Sequence, residues 1–375
     1  MLELPPLGLY IHIPWCVKKC PYCDFNSHPQ QGVIPEQAYI DQLLADLTTD
    51  RQLIPGRTID TIFIGGGTPS LLTAQAVENL LQGIRQRVPL APQMEITLEA
   101  NPGTVEQERF IGYQAAGVNR FSIGVQSFNA DSLRHLGRIH SPEAATRAVQ
   151  LAMNLPATRV NLDLMHGLPH QSLAQALVDL EQAVCLAPTH LSWYQLTLEP
   201  QTAFGSRPPP LPPDEQLWAI WQQGDQLLKA AGYQPYEISA YARDEHYSQH
   251  NLNYWRFGDY LGVGCGAHGK ISFPGGEILR TVKTRHPRGY LQGHHRQQQF
   301  AVPLDQRPLE FFMNRWRLLE PTPRSDFTRF TGVDEAKLRP ILDQLISQGY
   351  LQESPTSWQL SEHGRLFLNH VLESF

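Results

Sequence analysis

The chain predicts an α/β fold, an incomplete (β/α)6 barrel followed by a mainly helical, winged-helix-like C-terminal domain. Three observations carry that expectation. Short apolar runs of strand type alternate with segments whose apolar residues recur at helical spacing, giving six strand–helix units between Leu7 and Leu198. Polar or glycine-rich tokens follow the strands, on the face where parallel α/β proteins bind ligands. The run Arg207-Pro208-Pro209-Pro210-Leu211-Pro212-Pro213 then stops the alternation and reads as an extended, semi-rigid connection.

Residues 7–13 form the first strand candidate and lead into the loop Cys16-Val17-Lys18-Lys19-Cys20-Pro21-Tyr22-Cys23. Residues 35–51 carry Tyr39, Leu43, Leu44 and Leu47 at helical spacing. A strand over 59–64 ends in Gly65-Gly66-Gly67-Thr68-Pro69-Ser70, and a helix pattern covers 74–87. Residues 95–99 run into Ala100-Asn101-Pro102-Gly103, with Thr104 as the candidate cap of the next helix. Residues 120–125 and 159–165 are the next strands, separated by helical segments on either side of Ser141-Pro142. A helix through Leu177 and Leu180 and a strand over 190–198 complete the series. Such repetition implies a parallel sheet with crossover helices.

Beyond the proline run come a helix over 214–231 and the segment 236–241. A Gly-, Tyr- and His-rich stretch over 246–269 then shows little regular periodicity. Helical stretches resume from Pro308, as in 311–319. Helices near 336–348 and 364–372, with a turn at Ser354-Pro355, make up the winged-helix-like unit. The expected division is a core barrel over 1–240, a connecting region over 241–305 and a C-terminal domain over 306–375.

The length of 375 residues suits one large domain and a smaller one, at about 100–200 residues per domain. A net charge of -6 argues against a general nucleic-acid binder, so no nucleic-acid partner is expected. No basic region precedes a long apolar stretch at the N-terminus, and no apolar run could span a bilayer, so the expected location is the cytoplasm. The five cysteines, three of them clustered, do not form a disulfide framework and fit metal binding in a reducing compartment.

The clustered thiols are spaced C-x3-C-x2-C. Thiolates that close repel one another unless a soft metal centre collects them. Three ligands are one short of the four that close an iron–sulfur cube, which leaves one iron open. A zinc site would want a second C-x2-C pair, and a redox C-x2-C pair would leave Cys16 unexplained.

This loop, followed by a glycine-rich loop after the second strand, resembles the radical S-adenosylmethionine superfamily. The resemblance implies a [4Fe–4S] cluster on Cys16, Cys20 and Cys23, whose open iron chelates the amino and carboxylate groups of S-adenosylmethionine. Electron transfer into the sulfonium would then give a 5′-deoxyadenosyl radical. The chain is further similar to proteins of the oxygen-independent coproporphyrinogen oxidase type. They share Tyr10 ahead of the loop, Tyr22 before its last cysteine, Glu99-Ala100-Asn101-Pro102 and Gly124-Val125-Gln126-Ser127-Phe128. They also share Leu136-Gly137-Arg138 and Asp163-Leu164-Met165-His166-Gly167-Leu168-Pro169. Carried over, Tyr10, Tyr22, Gly66, Gly67, Thr68, Glu99, Gln126, Arg138 and Asp163 would line the S-adenosylmethionine pocket. Thr197, Ala267 and His268 would join them through backbone groups. Carboxylates and an amide suit an ammonium and ribose hydroxyls, and an arginine suits the methionine carboxylate.

The pattern departs from the oxidase at Phe25, where that enzyme has a further cysteine, and in beginning almost at the first strand. Both departures match a sister group, the HemW-type heme chaperones, and speak against coproporphyrinogen III dehydrogenase activity. That group's H-N-x-x-Y-W element stands here as His250-Asn251-Leu252-Asn253-Tyr254-Trp255. The resemblance implies heme binding by His250, Tyr254 and Trp255, since His and Tyr can ligate heme iron and Trp can pack on the macrocycle. Read from residues alone, His250 is rather a hydrogen-bonded loop histidine, with Tyr254 and Trp255 in the core, since most histidines are not ligands. Cys265 is placed to approach heme or the radical site, and Cys185, in a helical pattern, reads as an inert buried thiol. The C-terminal unit has no basic recognition helix, so a lid or domain-packing role is expected.

The function implied is delivery of heme to apoproteins, among them those of the respiratory chain, with an electron donor for the cluster. A transient membrane association and a homodimer are left open. The alternatives are oxidative decarboxylation of coproporphyrinogen III and radical chemistry on another substrate, and no catalytic residue is assigned.

Overall fold

Strand β1 (Leu7–Ile13) lies inside the main sheet of the computed structural model, which describes residues 2–104 and 106–375. The chain then alternates through α1 (Glu36–Asp50), β2 (Ile59–Gly66), α2 (Ala74–Arg85), β3 (Leu90–Ala100) and α3 (Gln107–Ala116). It continues with β4 (Arg120–Gln126), α4 (Ala130–His135), α5 (Pro142–Met153), β5 (Arg159–His166), α6 (Leu173–Leu186) and β6 (His190–Gln195). Each of these strands pairs in parallel with the next. Parallel strands covered by crossover helices are buried on both faces, which is why Leu9, Ile11, Ile62, Ile64, Phe121 and Ile123 are all fully buried.

Local chemistry sets the helix starts. Thr73 caps α2, and Ser141 caps α5 with Pro142 in its first turn. Ser172 and Gln175 form a reciprocal capping box on α6. Thr104 is not the cap of α3, which starts after Glu106. Its hydroxyl instead bonds Ser70 Oγ at 2.7 Å and the Asn101 carbonyl at 3.0 Å, tying two strand-end loops together. Cys185 corrects a second expectation. The buried face of α6 is Ala176, Asp179, Leu180 and Ala183, and Cys185 falls off it and is exposed.

The sheet does not stop at β6. After α7 (Asp214–Ala230), the hairpin β7 (Gln234–Glu237) and β8 (Ala240–Ala242) adds antiparallel strands to one side. On the other side, α8 (Gln249–Trp255) leads into β9 (Asp259–Val263), which pairs in parallel with β1. Strands β10 (His268–Ser272), β11 (Ile278–Lys283) and β12 (Arg296–Ala301) extend that side antiparallel. The 12-stranded order is β12-β11-β10-β9-β1-β2-β3-β4-β5-β6-β8-β7. Residues 241–305, expected as a connection, therefore contribute four strands to the main sheet. Periodicity could not show them because β9 is short and buried on every position, while α8 has only seven residues.

The C-terminal part holds α9 (Arg307–Arg315), the short strand Thr322–Pro323, α10 (Arg324–Thr331), α11 (Arg339–Ser347), β13 (Leu351–Glu353) and β14 (Ser357–Leu360). Two helices followed by a hairpin, in a three-stranded sheet, is the winged-helix order expected. Phe311, Phe312, Phe327 and Trp358 fill its core, joined by Leu2 from the other end of the chain. Among the described residues no helix is long and apolar enough to cross a membrane.

Candidate functional site

A cavity of about 440 Å³ opens at the C-terminal ends of the parallel strands, and Cys16, Cys20 and Cys23 line it. Glycines seat the cysteine loop there. The Gly67 amide donates to the Ile13 carbonyl at 2.7 Å, and a Cβ on Gly67 would lie 2.5 Å from the Trp15 carbonyl oxygen and 3.0 Å from Cys16 Sγ. Gly66 has φ +116 and no room for a Cβ against the His12 ring. Burial pushes the Cys16 and Cys23 thiols up, and the neighbouring cysteines add to that while Thr68 and Ser27 hydroxyls oppose it. Among the described residues no three Cys, His, Asp or Glu side chains converge on one metal position. Three thiols of one loop lining one cavity are the donor set that a cube with one open iron would use, each cysteine taking a different iron.

Polar groups from successive strand ends face the thiols. Arg138 follows α4, where its Nη2 donates to the Gly124 carbonyl at 2.7 Å and its Nη1 lies 3.6 Å from Cys20 Sγ. Glu99 accepts from the Gly66 amide at 3.0 Å. Burial and the nearby Asp163 raise its carboxyl to about 8. Asp163 accepts from Ser122 Oγ at 3.0 Å and Asn161 Nδ2 at 2.8 Å, and burial still holds its carboxyl above the usual range. Gln126 sits at φ 67, beside a bulge in β4, and accepts from the Tyr194 hydroxyl at 2.9 Å. A left-handed non-glycine residue costs of order 1–3 kcal/mol and persists where its surroundings over-determine it.

Tyr22, Gly66, Gly67, Thr68, Glu99, Gln126, Arg138, Asp163 and Thr197 thus meet the three cysteines in one cavity. Tyr194, Ser192 and Asn101 also line it and were missed. Alternation along β6 would have found the first two, since Ser192 and Tyr194 share the face opposite the buried Leu191 and Trp193.

A second cavity of about 390 Å³ adjoins the first and shares Asp24, Phe25, Gly66 and Glu99 with it. Tyr10, Tyr254 and His268 line this one, together with Tyr260 and Arg285. Ala267, only 1% exposed, lines neither. Cys265 also lines neither cavity. It is buried, its thiol is pushed up to about 12 by burial, and Asn26 Nδ2 donates to its carbonyl at 3.0 Å.

His250 and Trp255 are not brought to either cavity. The short helix α8 enters below β9, at the strand ends opposite the cysteine loop, so its first turn points into the barrel. His250 is 2% exposed, and its Nδ1 is bonded to Thr61 Oγ1 at 2.8 Å. The amides of Gln249 and His250 donate to the Glu95 carboxylate at 3.2 and 3.0 Å, and Arg159 pairs with that carboxylate at 3.1 Å. Trp255 lies under the Arg317 guanidinium at 4.4 Å. The element plugs the barrel, and only Tyr254 reaches a cavity.

The fold and the cysteine-lined cavity define a radical S-adenosylmethionine protein. The pattern of the Radical SAM superfamily matches residues 10–182, and that of the HemN C-terminal domain matches residues 302–367. The heme chaperone HemW of Escherichia coli (strain K12) is 62% identical over 375 residues, covering 100% of this chain and 99% of that protein. HemW of Haemophilus influenzae is 56% identical over 379 residues, again covering 100% of this chain and 99% of that protein. The chain belongs to the HemW family of heme chaperones. The solved structure of coproporphyrinogen III oxidase (HemN) from E. coli, a radical SAM enzyme, matches with a TM-score of 0.84 at 23% identity. It covers 99% of this chain and 90% of that one, a likeness of fold.

Proposed function

We propose that the protein binds a [4Fe–4S] cluster, S-adenosylmethionine and heme, and passes the heme to apoproteins, as the names of its relatives describe. The observation that carries this reading is the meeting of three thiols, Glu99, Arg138 and Asp163 around one cavity, with Phe25 beside it. In this reading Cys16, Cys20 and Cys23 hold three irons, and the bound cluster supplies an open iron and an electron. Arg138, beside Cys20, receives the methionine carboxylate, and Glu99 with the Gly66 and Gly67 backbone receives the ammonium. Gln126 and Asp163 hold ribose hydroxyls, with Tyr22, Thr68 and Thr197 closing the pocket. Phe25 offers no further thiol beside the cluster, which favours heme delivery over decarboxylation. The partners are heme-accepting apoproteins and an electron donor, and the place of action is the cytoplasm.

The test is anaerobic reconstitution followed by two assays. Heme-loaded protein should transfer heme to an apo-cytochrome, and coproporphyrinogen III should remain unconverted. Conversion to protoporphyrinogen IX without heme transfer would decide for the decarboxylase. Replacing all three loop cysteines by alanine should remove the iron–sulfur absorbance, and a full cluster in that variant would refute the assignment.

A further inference from the structure

We infer that the second cavity receives the heme, with the His268 imidazole as an axial ligand and the Arg285 guanidinium paired with a propionate. The inference rests on the reading that this chain binds heme, and it assigns the site within that reading.

The cavity, about 390 Å³, falls within the range of small-molecule sites, about 300–1,000 Å³. Its wall is aromatic. Tyr254 and Tyr260 stack on each other with ring centroids 4.1 Å apart at 27°, a rigid aromatic pair in the cavity wall against which a macrocycle can pack. That wall is held in place from behind, where Arg280 donates to the Tyr260 hydroxyl at 2.6 Å and to Glu310 at 2.6 Å. Phe25, 58% exposed, stands between this cavity and the first.

Beside Asp24, Glu99, His12 and Asn26, the cavity presents two polar side chains of the kind a heme requires. His268 is exposed at the start of β10, and among the described residues its ring makes no hydrogen bond or ion pair. Burial on one side and the cations Arg280 and Arg285 hold its imidazole below the ordinary value, so a nitrogen lone pair is available near neutral pH. The Arg285 guanidinium is likewise without a carboxylate among the described residues. Its backbone is fixed, because its carbonyl accepts from Asn26 Nδ2 at 3.0 Å and is bonded to His28 Nε2 at 3.1 Å. An anchored, unpaired arginine at an aromatic cavity matches the carboxylate edge of a tetrapyrrole. His250 offers neither property, since one ring nitrogen is committed to Thr61 and the other is sealed in the barrel. The bond proposed is dative, a lone pair from neutral imidazole to ferric iron, with no change of oxidation state.

The test titrates the full chain with hemin and, separately, with metal-free protoporphyrin IX. His268→Ala should weaken hemin binding at least about tenfold and move the Soret band, leave protoporphyrin binding as in the wild type, and regain the wild-type spectrum with added imidazole. Arg285→Glu should weaken both ligands about tenfold without moving the hemin Soret band. His370→Ala, on the far C-terminal helix, should change nothing. If the wild type binds hemin but His268→Ala and Arg285→Glu bind as it does, this site is wrong while heme binding stands. Equal weakening by His370→Ala would mean general capture by surface histidines and would also overturn the site. A wild type that binds no hemin would overturn both the site and the proposed function.

Discussion

The Gly66 amide donates to the Glu99 carboxylate at 3.0 Å, and that bond lies on the boundary between the two cavities. It joins the ends of β2 and β3 and holds a buried acid where two ligands would meet. Because burial and Asp163 outweigh the amide's effect, the acid titrates near 8.

A pH dependence follows from this acid. Between its ordinary value of 4.5 and its folded value of about 8, the native state binds more protons than the unfolded state. Stability therefore falls as pH rises through that window. Glu99→Gln removes the term, so its melting temperature relative to the wild type should rise from about pH 5 to about pH 8.5. Thermal unfolding at several pH values checks this, and a constant difference would contradict it. Calorimetry of S-adenosylmethionine binding near pH 7 should also show proton release in the wild type and none in Glu99→Gln.

Arg138 touches both the cysteine loop and the end of β4. Arg138→Met keeps much of the side chain's bulk and removes its charge. Losing a charge-assisted hydrogen bond costs about 1.5–3 kcal/mol, so S-adenosylmethionine affinity should drop about 10- to 100-fold while cluster absorbance persists. Equilibrium binding to the reconstituted protein measures it.

Gly67 has backbone and a cluster cysteine where a Cβ would go. Gly67→Ala must push the loop away from the cavity, at an overpacking cost of about 1–3 kcal/mol. Iron content per chain after reconstitution should fall with it. Gly275→Ala, where a Cβ meets open space, is the matched control.

Lys283 is fully buried between Asp46 and Asp50, with its Nζ 2.7 Å from Asp50 Oδ2. Asp46 in turn accepts from the Tyr290 hydroxyl at 2.7 Å, and that oxygen accepts from the Gly264 amide at 2.9 Å. Lys283→Met leaves the buried Asp46 carboxylate without a cation, while Asp50 keeps only Arg296, which should destabilise the fold by about 3–5 kcal/mol. Denaturant unfolding tests the magnitude, and a loss below about 1 kcal/mol would mean that water replaces the ammonium.

Several site residues were legible because their chemistry is local. The spacing of Cys16, Cys20 and Cys23 and the glycines after β2 can be read within a few positions of the chain. Tyr194 is equally readable, from the alternation of β6, where it shares a face with Ser192. Helix α8 and strand β9 were illegible for a different reason. A seven-residue helix with His250 on its buried face, and a strand buried at every position, leave no periodic pattern.

Sequence alone determined the order of β1 to β6 and the spacing of the three thiols, since periodicity and spacing are properties of neighbouring residues, while the polar site residues at successive strand ends came from the family resemblance. Tertiary structure alone decided that these residues divide between two cavities. Tyr10 stands opposite Gly262 across the β1–β9 pairing, on the second cavity's side of the cysteine loop. It also decided that His250 turns inward, through a bond to Thr61 that spans 189 positions of the chain. The direction a side chain takes at a strand end depends on the register of strands distant in sequence, and no local pattern records that register.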